Sequence, residues 1–180
     1  IHQYFTLLNY ARALWMTGDR VGAEATIRDL QGLLQAVPAN KMYASGLFAH
    51  IAHLRLGVLQ TDMGDFTNGL NQLQLALQTL RTHLAATPQF ATSRRELSHC
   101  YDALGNYYAK LASRAGTPAE QQIAHWKEAH TWYQQNLSIL QEQVQATPND
   151  SQSARYVAQA AKNLARCDDA LTNLTASRQR

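Results

Sequence analysis

The chain has 180 residues, of which 46% are hydrophobic and 16% charged, with a formal net charge of +3. That length holds one ordinary domain or a short repeat array with a sizeable core. Lys and Arg are scattered, with only Arg94 and Arg95 adjacent, and no apolar run reaches the roughly 18 residues of a bilayer span. Neither nucleic-acid binding nor membrane insertion is therefore expected.

The pattern predicts helices throughout. A first unit spans about residues 1–40 and is interrupted by "WMTGDRVGAEATI". A second spans about 41–90 and is interrupted by the near-echo "QTDMGDFTNGLNQL". Both stretches place Gly-Asp after an apolar helical segment and a small residue five positions beyond the glycine: Ala23 after Gly18, Gly69 after Gly64. The third unit, about 91–149, overruns that break and stops near Gly116. Pro38, Pro88 and Pro148 each follow a long helical segment and open a short polar link, "PAN", "PQFATS" and "PNDS". Proline does least damage at such edges.

Two helix starts carry capping boxes. "TPAE" offers Thr117 as N-cap, Pro118 at the first helical position and Glu120 closing the box. "SRRE", Ser93 to Glu96, repeats the box without the proline. A last helix, about 150–176, has apolar positions at Val157, Ala160, Ala161, Leu164, Cys167 and Leu171. Its outer face, with Gln152, Arg155, Lys162, Arg166 and Asp169, suits a cap.

Superposing the units aligns Ala11, Gly57 and Gly105 within the first helices, each after a large residue. It also aligns Ala23, Gly69 and Ala129 within the second helices, followed four later by Ile27, Leu73 and Tyr133. Glycine inside a helix costs about 1 kcal/mol against alanine, so Gly57 and Gly105 point to close helix approach. Such self-similarity signals stacked hairpins. The pattern resembles the tetratricopeptide repeat (TPR), with "LSHCYDALGNYYAKL" and "HWKEAHTWYQQNLSIL" carrying the likeness best. The units are longer than the family's thirty-four residues, and Asn136 stands where the family has alanine. The long second helices and the closing "LARCDDAL" are similar to TPR regions attached to bacterial signalling proteins, serine/threonine kinases included. The resemblance implies an all-α, TPR-like α-solenoid of three helical hairpins plus a C-terminal capping helix, a single domain over 1–180. The chain opens at Ile1 in mid-pattern, and we read it as part of a larger protein.

No residue set points to catalysis. There is no Gly-rich phosphate loop and no nucleophile elbow. His99 and Cys100 are adjacent on a helix and diverge by about 100°, so no enzyme is expected. His50-x-x-His53 puts two imidazoles on one face without a third ligand, so neither metal nor cofactor is expected. Cys100 and Cys167 do not make a disulfide framework and fit a reducing, cytoplasmic setting.

The resemblance instead implies a partner-binding surface on the outward faces of the first helices. The first unit presents Phe5, Leu8, Arg12, Trp15 and Met16. The second presents Leu47, Ile51, Leu54, Val58 and Asp62, and the third His99, Asp102, Asn106 and Lys110. Two faces are mostly apolar and the third is polar. Asp102 would repel a peptide's terminal carboxylate. Either the apolar faces grip a protein or peptide partner, or they pack on missing structure or on a second copy as a homodimer. The resulting expectation is a protein-binding scaffold, with self-association as the alternative. On the groove reading, Leu54 accepts aspartate without loss of fold.

Overall fold

A computed structural model describes residues 2–36, 46–86, 91–146 and 151–178. Among them lie seven helices and no strand: α1 (His2–Thr17), α2 (Arg20–Ala36), α3 (Gly46–Asp62), α4 (Phe66–Ala86), α5 (Ala91–Ala112), α6 (Ala119–Ala146) and α7 (Ser151–Arg178). The proline links at 38, 88 and 148 lie outside the described residues. The chain divides into two compact units, Ile1–Gln89 and Phe90–Arg180.

In the first unit α1 pairs with α2 and α3 with α4, and α1 also touches α3. The repeated Gly-Asp ends one helix and starts the next. At the first turn Gly18 N–H donates to Trp15 O at 3.2 Å and Asp19 N–H to Leu14 O at 2.9 Å. At the second, Gly64 N–H donates to Thr61 O at 3.1 Å and Asp65 N–H to Gln60 O at 2.9 Å. This is the Schellman pattern, and it requires a left-handed residue; Gly18 and Gly64 take φ of 90° and 87°. Asp19 and Asp65 then cap the following helices, their Oδ1 atoms accepting from Gly22 N–H at 2.9 Å and Asn68 N–H at 3.2 Å.

The small residues mark where helices meet. A Cβ on Gly57 would lie 2.9 Å from both the Gly69 carbonyl and Leu73, and one on Gly69 would lie 2.5 Å from Thr61 Oγ1. In α2 the buried stripe Ala23, Thr26, Ile27, Leu30 and Leu34 follows helical spacing. Ile27, Leu30 and Leu34 join Tyr4, Leu8, Ala11, Ala52, Leu56 and Leu59 in one core. The Tyr4 hydroxyl donates to Ala52 O at 3.1 Å.

The second unit pairs α5 with α6, and α7 packs on α6. Its turn is longer, with Gly116 at φ 80°. The Pro118 carbonyl accepts from Gln122 N–H at 2.9 Å and α6 starts at Ala119, within the "TPAE" stretch, while Thr117 Oγ1 donates back to Leu111 O at 3.4 Å. The "SRRE" box does not mark a boundary: α5 begins at Ala91, and Ser93 is its third residue. The Glu96 carboxylate lies 3.5 Å from His99 Nδ1, one turn on. A Cβ on Gly105 would lie 2.5 Å from the Tyr133 ring, which is fully buried with Trp126, Ala129 and Cys167. Asn136 is buried with a partner: Ser98 Oγ donates to its Oδ1 at 2.7 Å. A buried polar side chain needs such a bond.

Candidate functional site

The twelve residues expected on one binding surface have three different settings. Leu8 belongs to the first unit's core, and Leu54 is only 8% exposed. Both are corrections to the outward-face assignment. The reason is that α3 is buried on most of its circumference, with Ala49, His50, Ala52, His53, Leu56, Leu59 and Gln60 covered as well. A helix covered on most of its circumference is a core helix, even with polar residues among those covered. Burial of Leu54 argues against the expectation that it tolerates aspartate. Ile51, Val58 and Phe5 are half-buried, with the Arg55 guanidinium 4.9 Å from the Phe5 ring centre. Arg12 Nη2 meets Asp62 Oδ2 at 3.4 Å between α1 and α3. Leu47 lies where side chains are not described.

The polar face of α5 meets α7. Asp102 accepts from Asn106 Nδ2 at 2.9 Å and from Asn163 Nδ2 at 3.2 Å. The Tyr133 hydroxyl donates to Asn106 Oδ1 at 2.8 Å and accepts from Arg166 at 3.1 Å. His99 sits edge-on to Tyr156, centroids 6.2 Å apart. Burial pushes the Asp102 carboxyl above its ordinary pKa, while Asn106, Asn163, His99 and Arg166 pull the other way. Lys110 is exposed. This network joins three helices of one unit and occupies Asp102 and Asn106, two of the groups expected to meet a partner.

The remaining histidines and cysteines have structural neighbours. His53 Nδ1 meets Gln72 Oε1 at 2.7 Å, and His130 Nε2 meets Asp168 at 3.4 Å. Cys100 and Cys167 are buried and form no disulfide, and burial pushes the Cys167 thiol up to about 11. Among the described residues no group of three or more His, Cys, Asp or Glu side chains could hold a metal ion.

An open cleft lies instead in the first unit, beside α2. Its volume is about 440 Å³. Arg20, Glu24, Arg28 and Gln31 line one wall from α2, with Ile27 beneath them; Gln60 and Met63 from the end of α3, and Asp65 and Asn68 from the start of α4, line the other. Trp15 also lines it, the Arg20 guanidinium stacked 3.3 Å from its ring centre. Of the twelve expected residues, only Trp15 lines the cleft.

The cleft is a by-product of the repeated turn: Trp15 and Gln60 both precede a Gly-Asp break, and Asp65 belongs to one. Asp65 is engaged, its Oδ2 accepting from Asn68 Nδ2 at 2.7 Å besides its capping bond. Gln60 is not: it is 2% exposed, and its Oε1 has no hydrogen-bond partner. The other such atom among the described residues is Trp132 Nε1. Sequence reading missed this wall because Arg20, Glu24, Arg28 and Gln31 look like the solvated face of an amphipathic helix. The sequence held no signal that singled it out, since Gln60 is one of several polar residues of α3, with His50, His53, Arg55, Thr61 and Asp62. Comparison with protein-family models, curated proteins and solved structures gives no match to this chain.

Proposed function

We propose that this chain is a protein- or peptide-binding scaffold module of TPR-like helical hairpins, working as part of a larger, cytoplasmic bacterial signalling protein. The observation that carries the reading is the cleft beside α2, lined by Trp15, Arg20, Glu24, Arg28 and Gln31. Its volume lies in the range of ligand sites, yet charged and amide side chains line it more heavily than is usual for a small-molecule pocket. Arginines, acids, amides and a tryptophan are the groups that engage polypeptide. The hairpin pairing, the two Schellman turns and the close glycine contacts support the likeness to TPR units. No helix among the described residues is long and apolar enough to cross a membrane.

The test is selection of a random heptapeptide phage library on the immobilised chain, followed by calorimetry with the selected peptides. Enrichment of a related peptide set supports the reading, and failure to enrich any defeats it. Self-association is the second reading. It is favoured by Met16 and Val21, 79% and 77% exposed beside the first turn, and light scattering on the purified chain tests it. A concentration-independent monomer excludes it.

A further inference from the structure

In the first unit α3 enters the groove of the first hairpin along one defined face. Ala52, Leu56 and Leu59 share a core with Tyr4 and Leu8 of α1 and Leu30 of α2. At the edges of that face Arg55 lies over the Phe5 ring and Asp62 meets Arg12. Ala52 and Leu56 are fully buried, and Leu59 nearly so.

The repeat locates the same face on α1. Ala11 and Gly57, Gly18 and Gly64, and Ala23 and Gly69 stand one constant step apart in the sequence. That step carries Ala52, Arg55, Leu56, Leu59 and Asp62 onto Thr6, Asn9, Tyr10, Ala13 and Met16. All five are exposed, Tyr10 at 55% and Met16 at 79%. A single exposed apolar residue is ordinary. Here two large ones lie along one side of a helix with Ala13 between them, at the positions where the next helix of the repeat is buried. Asn9 replaces Arg55 and Met16 replaces Asp62, so the two charges that fit α3 to its neighbour are gone from this face.

We propose that this side of α1 docks a further helical hairpin of the same repeat, which precedes α1 in the larger protein and has an apolar residue in the place of Arg12. Tyr10 and Ala13 enter its groove as Leu56 and Leu59 enter the groove of α1 and α2, and Met16 meets the apolar residue. In a second copy of this chain the first hairpin already holds its own α3, and α5 and α6 hold Leu164, Cys167 and Leu171 of α7. That favours a separate hairpin over a second copy. Neither Tyr10 nor Met16 lines the cleft beside α2, so this surface is distinct from the peptide site proposed above.

The experiment uses the whole chain, with its own first hairpin as the probe. A copy of residues 1–46 carrying Arg12→Leu is fused ahead of Ile1, one repeat step upstream. The readout is oxidation of the original Met16 by hydrogen peroxide, followed by peptide mass spectrometry; the Arg12→Leu change gives the copy's peptides a different mass. In the fused protein Met16 oxidises at least tenfold more slowly than in the original chain, and hydrogen exchange in α1 slows with it. Tyr10→Glu at the original position restores fast oxidation, because it places a carboxylate where the groove would bury it. In the original chain Tyr10→Glu shifts the melting temperature by less than about 2 °C, as expected at an exposed site, so lost protection is not a folding defect.

Equal oxidation of Met16 in the fused and original chains would overturn the proposal. Protection that survives Tyr10→Glu would do the same, since the added hairpin would then lie elsewhere. A dimer of the original chain that already protects Met16 would make a second copy the occupant and would also overturn it. Peptide selection on the original chain tests the cleft separately, so the two readings fail independently.

Discussion

In residues 90–180 the polar side chains of α5 meet partners from the same unit: Asp102 has Asn106 and Asn163, and Asn106 has Tyr133. In residues 1–89 Gln60, nearly as buried as any side chain in the chain, has an acceptor oxygen that meets nothing. Satisfied buried networks fix one arrangement of packed helices. An unsatisfied buried acceptor costs about 1–3 kcal/mol and has no packing role to offset it. The difference teaches which polar groups hold the fold. A polar face that the chain already answers is structural, whereas Gln60 Oε1, like Trp132 Nε1 in residues 90–180, is a buried atom that costs stability.

The strongest way to break that comparison is at Leu54. If the outward face of α3 were a binding surface, Leu54→Asp would fold normally. Its burial predicts the opposite, a loss of about 4 kcal/mol or more from placing an unpaired carboxylate in the core. Denaturant unfolding measures the loss, and hydrogen exchange should accelerate within residues 1–89. A variant as stable as wild type would return Leu54 to the surface and reopen the first reading.

The second unit is tested at Gly105. The Tyr133 ring stands where its Cβ would go, and that ring is fully buried and holds Asn106 and Arg166 through its hydroxyl. Gly105→Leu is expected to destabilise by about 1–3 kcal/mol, the usual cost of overpacking. A stability gain, as helix propensity alone would give, would mean that the two helices stand further apart.

Gly18→Ala and Gly64→Ala sharpen the likeness of the two turns in the first unit. Each glycine sits in the left-handed region with the same pair of hydrogen bonds. A Cβ there costs about 1–2 kcal/mol, and the two variants should lose nearly the same amount in thermal melts. Unequal losses would mean that the repeat is one of sequence more than of structure.

The hairpins were legible because the signals were local. Gly-Asp dictates a left-handed stop and an N-cap, and the aligned small residues dictate close approach. The candidate site was not, because burial depends on contacts between helices distant in sequence. Spacing separated one face of α5 from the other, but it could not show that Asn163, sixty-one positions later, would reach Asp102. Leu8 and Leu54 looked outward because a stacked-hairpin register was carried back from the third unit, where α7 is present, onto helices packed against each other. The charged residues of α2 looked solvated because a helical wheel does not reveal a cleft.

The smallest expected effect concerns the answered side of the comparison. Asp102 is bonded twice, yet burial outweighs its partners and its pKa lies above the ordinary value. The folded protein therefore holds this proton more tightly than the unfolded chain does. The stability so contributed is fully present below the ordinary aspartate pKa of about 3.9 and is lost as pH rises through the raised value. Asp102→Asn lacks the titration, so the wild-type minus variant difference isolates it whatever the substitution costs at a single pH. Unfolding both proteins between about pH 7 and about pH 4, around the carboxylate range, should move that difference in favour of wild type as pH falls. A difference that moves toward the variant would mean that Asn106, Asn163 and Arg166 hold the carboxylate better than water does. The network would then be an anion site filled by the chain's own side chain.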